Sequence, residues 1–263
     1  MSANESALHT EGLSADKILC AALDVGEHIL KNGGEIHRVE DTIERICRSF
    51  GAEHIEVFTI TSLITASIRM KNGEFSHQMR RIYRTSNNLY MVEEMNGISR
   101  ELCSGKLEIS DLRERILAAK RKKPYNVYII YIATALAAGG YAVFFGGNIM
   151  DGICAAIAGL SVTFLDRHTP SFVNQTIMVI ISSACAGMLG ILFSHFGLGE
   201  HIDKIMMGTV MLLIPGLALG NAVRDMLGGD IISGAVRMLQ AVITALMIAF
   251  GYAISMLVMG GLI

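Results

Sequence analysis

The sequence predicts an α+β soluble N-terminal domain followed by an all-α membrane domain of five transmembrane helices, and three observations carry that prediction. Hydrophobic residues make up 52% of the 263, with a mean hydropathy of +0.47. That is too apolar for an average soluble protein and too mixed for a chain embedded in lipid throughout. Lys, Arg, Asp and Glu are dense up to Lys123 and sparse afterwards, where Gly, Ala, Ile, Leu and Met take over. Before that change helical and alternating patterns are mixed; after it, long apolar stretches recur. The expected division is an unstructured 1–12, a domain over 13–123 and a membrane domain over 124–263, with the boundary near Pro124.

In the first part, Ile18, Leu19, Ala22, Val25, Ile29 and Leu30 recur at helical spacing, with Ser14 placed to cap the helix and Gly33-Gly34 to end it. A second helix is expected over 35–50, with Ile36, Val39, Ile43, Ile46 and Cys47 on one face and Gly51 as its stop. Residues 54–61 and 62–70 are rich in Ile, Val, Thr and Phe, and Asn72-Gly73 supplies a hairpin turn. At least three antiparallel strands should end near Arg84, followed by helices over 88–102 and 111–122.

On the second predicted helix, His37, Glu40, Asp41 and Glu44 would lie together, as a metal or acid–base cluster would require. Charges opposite an apolar stripe are more simply the solvated face of an amphipathic helix, and that reading is preferred. No nucleophile elbow, phosphate loop or zinc-protease motif occurs in this part, so no catalytic residue, no metal and no cofactor is expected, and the chain does not read as an enzyme. A formal net charge of −2 and the lack of a basic stripe interleaved with aromatics exclude nucleic acid as a partner. Five widely spaced cysteines without a C-x-x-C pair suggest reduced thiols. The first residues lack a basic segment followed by an apolar core, so no cleaved signal peptide is expected and the N-terminal domain belongs in the cytoplasm.

In the second part, spans are expected at 125–145, 149–165, 174–196, 205–223 and 234–259. The second is short, its Gly152 and Gly159 suit close helix packing, and Asp151 at its start can be solvated or favour the helix N-terminus. Lys120 to Lys123, Arg167, Arg224 and Arg237 alternate with segments carrying only Lys204, which puts the N-terminal domain inside and the C-terminus outside the membrane. The fourth span is broken by Pro215-Gly216, and freed backbone groups in lipid must face protein or a water-filled cavity. Broken helices are how many transporters build substrate sites. Asn221, Arg224, Asp225 and Asp230 follow within four turns; Arg224 and Asp225, being adjacent, should pair with other segments, and Arg237 is a candidate partner for Asp225.

Two stretches resemble a known family. One is Gly26 through Glu35, with G-x6-G-x-E spacing that includes Gly33, continuing as VEDTIERI. The other is Leu212 to Arg237, where Pro215, Gly216, Asn221, Ala222, Asp225, Met226, Gly229, Gly234 and Arg237 match a long pattern of the threonine/serine exporter family. The likeness runs over about residues 13–259 and is to the larger subunit of the two-component form, similar to the succinate exporter subunit of that family. It implies a separate small five-span partner subunit, a proton-coupled export of threonine, serine or a dicarboxylate, a place in the bacterial inner membrane, and room for an oligomer in the bilayer. Within that expectation Pro215 and Gly216 open the helix, Asn221 offers hydrogen bonds, Arg224 or Arg237 receives a carboxylate, and Asp225 is the first candidate for proton coupling. The competing readings are a membrane-anchored regulatory or scaffold protein and, further off, a membrane-anchored hydrolase.

Overall fold

The computed structural model describes residues 13–122, 125–169 and 174–262. Residues 1–12, expected to be unstructured, the expected boundary at Lys123 and Pro124, and the terminal Ile263 lie outside the described residues. The chain divides into two compact units, Met1–Pro124 with Leu217–Met238, and Tyr125–Gly216 with Leu239–Ile263. The stretch around Asp225 therefore folds with the N-terminal residues.

The first unit begins with α1 (Ala15–Lys31), whose first turn is capped by the Ser14 hydroxyl accepting from the Lys17 N–H at 3.4 Å. Its apolar face, centred on Ile18, Leu19, Leu23, Ile29 and Leu30, is fully buried. Helix α2 (Ile36–Ser49) buries Ile36, Val39, Ile43 and Ile46 in the same core and stops at Gly51, whose φ is +88°. Gly26 lets the two helices approach, because a Cβ there would stand 2.6 Å from Ile43 Cδ1.

Strands β1 (Ala52–Ile60), β2 (Leu63–Met70) and β3 (Phe75–Arg81) form one antiparallel sheet in that order. The β2–β3 turn is the expected one: Gly73 takes φ +87°, and the Asn72 side chain accepts from the Glu74 N–H at 3.0 Å. Along β2, Ile64, Ala66 and Ile68 point into the core while Thr65 and Ser67 are only partly buried, the alternation of a sheet with one face covered. Helix α3 (Leu89–Cys103) starts at Asn88, whose side chain caps the Met91 N–H at 3.2 Å. Helix α4 (Leu112–Arg121) is tied to it by Arg115, 3.3 Å from both Glu94 and Glu101.

The second unit is helical: α5 (Val127–Phe144), α6 (Ile149–His168), α7 (Gln175–His195), α8 (Ile202–Leu213), and most of α10 (Ile231–Met259), which ends in a 3-10 turn, Gly260–Leu262. Helix α9 (Gly216–Leu227) precedes α10. Among the described residues four helices are long and apolar enough to cross a membrane, and the bent pair α8 and α9 makes a fifth if counted as one span. The expected break is present. Ile214 leaves helical geometry at ψ 127°, as a residue before proline tends to do, and a new helix starts at Gly216.

One expectation for these helices needs correction. Helix α6 is twenty residues long, not a short 149–165, because Asp166, Arg167 and His168 continue its last turn beyond the apolar stretch. Of the two roles open to Asp151, the structure shows the one at the helix N-terminus: it is fully buried and forms a capping box with Asn148. Gly152 and Gly159 act as close-packing positions, since a Cβ would lie 2.9 Å from Val143 Cγ2 at the first and 2.8 Å from Ala138 Cβ at the second.

Candidate functional site

The site grows from the way α1 ends. After Lys31 the chain turns through Asn32 and Gly33, with Gly33 at φ +89° and the Gly34 N–H returning to the Ile29 carbonyl at 2.9 Å. Neither glycine tolerates a side chain easily, because a Cβ on Gly33 would stand 2.9 Å from Asn87 Oδ1 and one on Gly34 2.9 Å from the Ile29 oxygen. The neighbouring segment braces the turn: the Ser86 N–H donates to the Lys31 carbonyl at 2.7 Å and the Asn88 N–H to that of Asn32 at 3.0 Å. Glu35 then stands at the N-cap of α2 in extended geometry, and its side chain makes no capping hydrogen bond.

The second half of the site comes from α9 and the start of α10. Asn221 and Asp225 are four residues apart on α9 and share a face, with Arg224 beside them. Gly229, at φ +99°, turns the chain, and the Asp230 N–H closes on the Asp225 carbonyl at 2.9 Å. Gly234 then allows α10 to lie against α9: a Cβ there would be 2.7 Å from the Ala222 oxygen and 3.0 Å from the Met226 nitrogen. Arg237, three residues later, comes to Asp225 as a result.

These side chains converge on residues 33–36. Asn221 Nδ2 donates to the Gly33 carbonyl at 2.9 Å, and Arg237 Nη2 to the Gly34 carbonyl at 2.8 Å. Asp225 Oδ1 accepts from the Ile36 N–H at 3.2 Å, so the cap of α2 is supplied by α9 and not by the cap residue itself. Arg224 Nη1 pairs with Glu35 Oε1. Arg237 Nε lies 3.3 Å from Asp225 Oδ2, within ion-pair distance, yet that oxygen has no aligned hydrogen bond among the described residues. Ion pairing is the better description of this contact, because a Coulomb attraction at such a distance does not require the alignment a hydrogen bond does.

Two layers of charge result. Asp225 and Arg237 are only 3% and 9% exposed, and both are tied to backbone groups of the turn. The side chain of Arg224 is 64% exposed and that of Glu35 21%. Arg237 is thus committed to an internal carboxylate and a carbonyl, while Arg224 presents guanidinium N–H groups outward.

Six of the nine site residues expected from sequence are brought together: Gly33, Glu35, Asn221, Arg224, Asp225 and Arg237. Gly26 sets the α1–α2 packing behind them, and Pro215 and Gly216 mark the break before α9. The expected pairing of Asp225 with Arg237 is present. Sequence reasoning missed the backbone partners, the Gly34 carbonyl and the Ile36 N–H. The available signal was a helix start with Glu35 at the cap, where a residue such as Ser, Thr or Asp would have capped the helix itself.

The charged face of α2 is largely as expected, with Asp41 paired to Arg45 and Glu44 to Arg48 along the helix. Glu40 departs from it: its carboxylate accepts from the Thr59 N–H at 2.8 Å, joining α2 to β1, and burial pushes its carboxyl above the usual range despite that hydrogen bond. A second buried carboxylate, Asp151, lies in the other unit. It accepts from the backbone N–H groups of Asn148 at 2.9 Å, Glu200 at 2.8 Å and His201 at 3.1 Å, with His201 Nδ1 at 2.9 Å.

Comparison with known proteins identifies the family of the chain. The sequence profile of the family described as "Putative threonine/serine exporter" matches residues 21–259. The "Probable succinate transporter subunit YjjP" of Klebsiella aerogenes is 24% identical over 236 residues, covering 89% of this chain and 90% of that protein. The protein of the same description from Escherichia coli K12 is 22% identical over 258 residues, covering 96% of this chain and 98% of its own length. No solved structure matches the chain.

Proposed function

The chain belongs to the threonine/serine exporter family, and from that premise we propose that it is the larger subunit of a secondary exporter for a small amino acid or a dicarboxylate. The family is one of exporters, and the chain is a multi-pass membrane transporter subunit and not an enzyme. In this reading residues 13–123 form a cytoplasmic domain, and α8 with α9 is a single broken span, so that five spans cross the inner membrane and the C-terminus lies outside. A separate five-span subunit of the same family completes the transporter; the relatives are themselves named as subunits. The broken span at Pro215 and Gly216 supplies the discontinuity that substrate sites of transporters use.

One observation carries the assignment of the site. The two stretches that hold the family pattern, 26–35 and 212–237, meet residue to residue at the Gly33–Ile36 turn. Of the two arginines, Arg224 is the one open to a substrate carboxylate, and Asn221 stands one turn before it on the same helix. Asp225 serves as the coupling acid. Adding a proton to it removes the negative charge facing Arg237 and weakens the cap on α2, so protonation and the hold on the turn are linked.

The test is efflux of labelled threonine, serine and succinate from proteoliposomes containing this chain with and without a five-span partner, under an imposed proton gradient. Gradient-driven efflux that needs both chains supports the proposal, and Asp225→Asn, compared in protein shown to be assembled, should then uncouple substrate from proton movement. No efflux of any of the three with both chains assembled would move the reading to a membrane-anchored scaffold.

A further inference from the structure

We infer that Glu35 is a resident carboxylate held in the substrate's place on Arg224, displaced to Arg38 when a substrate carboxylate binds. The inference rests on the reading above that Arg224 receives the carboxylate.

Three features of the turn lead to it. First, the Glu35 side chain is not needed where it is. It occupies the N-cap of α2 without capping it, because Asp225 Oδ1 takes the Ile36 N–H from outside. Glu35 can leave Arg224 without uncapping the helix.

Second, the pair it makes is the exchangeable kind. The Arg224 side chain is 64% exposed and that of Glu35 21%, so the guanidinium side of the pair is open to water and screened, and a carboxylate arriving from solvent can replace Glu35 there at small cost. Arg237 cannot act this way, since it is buried between Asp225 and the Gly34 carbonyl.

Third, a second guanidinium already stands within reach. Arg38 Nη2 lies 4.0 Å from Glu35 Oε1 on the next turn of α2. A rotation of one side chain carries Glu35 from Arg224 to Arg38 while its charge stays paired. The backbone need not move, because Asn221 holds the Gly33 carbonyl and Arg237 that of Gly34. The exchange is between carboxylates and involves no covalent step. A ligand with a carboxylate is therefore recognised by competition with Glu35, and a neutral ligand has no means of opening the pair.

The experiment measures binding of succinate, L-threonine and L-serine to the full chain assembled with its five-span partner in lipid nanodiscs by calorimetry. Removing a competitor that holds the site about nine-tenths of the time tightens apparent binding about tenfold, which is the expected result for Glu35→Gln with whichever of the three binds the wild type. Arg224→Gln should abolish that binding, and Arg38→Gln should weaken it, because Glu35 then has no second partner. Exchanging the pair, Glu35→Arg with Arg224→Glu, keeps an ion pair and should still lose binding, an outcome a purely structural pair would not give.

Should Glu35→Gln not fold, Glu35→Asp, whose shorter side chain reaches Arg224 less well, is expected to tighten binding by a smaller factor. Unchanged or weaker binding in the folded Glu35 variant, with the wild type binding normally, overturns the displacement and leaves the exporter reading intact. Absence of binding by the wild type for all three ligands overturns both.

Discussion

Asp225 on α9 caps α2, its Oδ1 accepting the Ile36 N–H at 3.2 Å from 189 positions along the chain. The same carboxylate faces Arg237 at 3.3 Å. One side chain thus satisfies an orphan donor at a helix start and balances a buried cation. Removing it damages both, and the second loss is the larger, because an uncompensated buried charge costs more than a missing cap. Asp225→Ala should destabilise the protein by ~3–5 kcal/mol. Replacing both members of the pair, Asp225→Leu with Arg237→Met, should cost clearly less than Asp225→Ala. Thermal unfolding of the three variants in one detergent checks this, and equal losses would show that the charge on Arg237 is not what makes the single change costly.

Gly26 makes a packing prediction of the opposite kind. It sits where α1 meets α2, and a methyl group there would overlap Ile43 Cδ1 and Cγ1 at 2.6 and 2.8 Å. Gly26→Ala should cost ~1–3 kcal/mol through overpacking, against the usual gain from alanine in a helix. Ile43→Ala removes both atoms but leaves space, so the double variant should be more stable than the sum of the single losses predicts. Strict additivity in thermal unfolding would mean that the cost at Gly26 does not come from the overlap with Ile43.

His28, on α1, gives a pH prediction. Burial, helped by Lys120 nearby, lowers its pKa from 6.5 to about 4. For a base depressed in the folded state, the unfolded chain binds the proton first as pH falls. Its contribution is therefore complete above about 6.5 and is lost between there and about 4. The midpoint of unfolding should fall over that window in the wild type, and His28→Gln should flatten the part of the fall due to this residue. An identical slope in the variant would show that other groups control it.

Much of this architecture was legible because it rests on local rules. Ser14, Asn72-Gly73 and the Gly33-Gly34 stop each act within a few residues, and each does what its chemistry suggested. The break at Pro215 is equally local. Asp225 and Arg237 were legible as a pair because Arg224 and Asp225, being adjacent on a helix, cannot share a partner face. What stayed hidden was their attachment to Gly34 and Ile36. Every residue but proline offers the same N–H and C=O, so nothing in a sequence marks which of them a distant side chain will find. The length of α6 was misjudged for a different reason: apolarity marks where a helix can sit in lipid, while its hydrogen bonds continue through charged residues such as Asp166 and Arg167.

Asp151 supports the last prediction. Its carboxylate is fully buried at the start of α6 and accepts from three backbone N–H groups and from His201 Nδ1, all at 2.8 to 3.1 Å. Its oxygens are thereby matched to donors only, and the carboxylate joins the N-terminus of α6 to the turn before α8. Asp151→Asn keeps the shape but turns an NH2 group toward one set of donors. That leaves buried N–H groups without an acceptor, at ~1–3 kcal/mol for each group so stranded. His201→Ala removes only the one side-chain donor, on a residue whose side chain is 48% exposed, and should cost less than half as much. Proteolysis around residues 199–201 reports the difference, because the turn is held through the Glu200 and His201 N–H groups and should become cleavable in Asp151→Asn alone. Equal protection in the two variants would mean that the capping box with Asn148, and not the bonds to the turn, is the main role of this carboxylate.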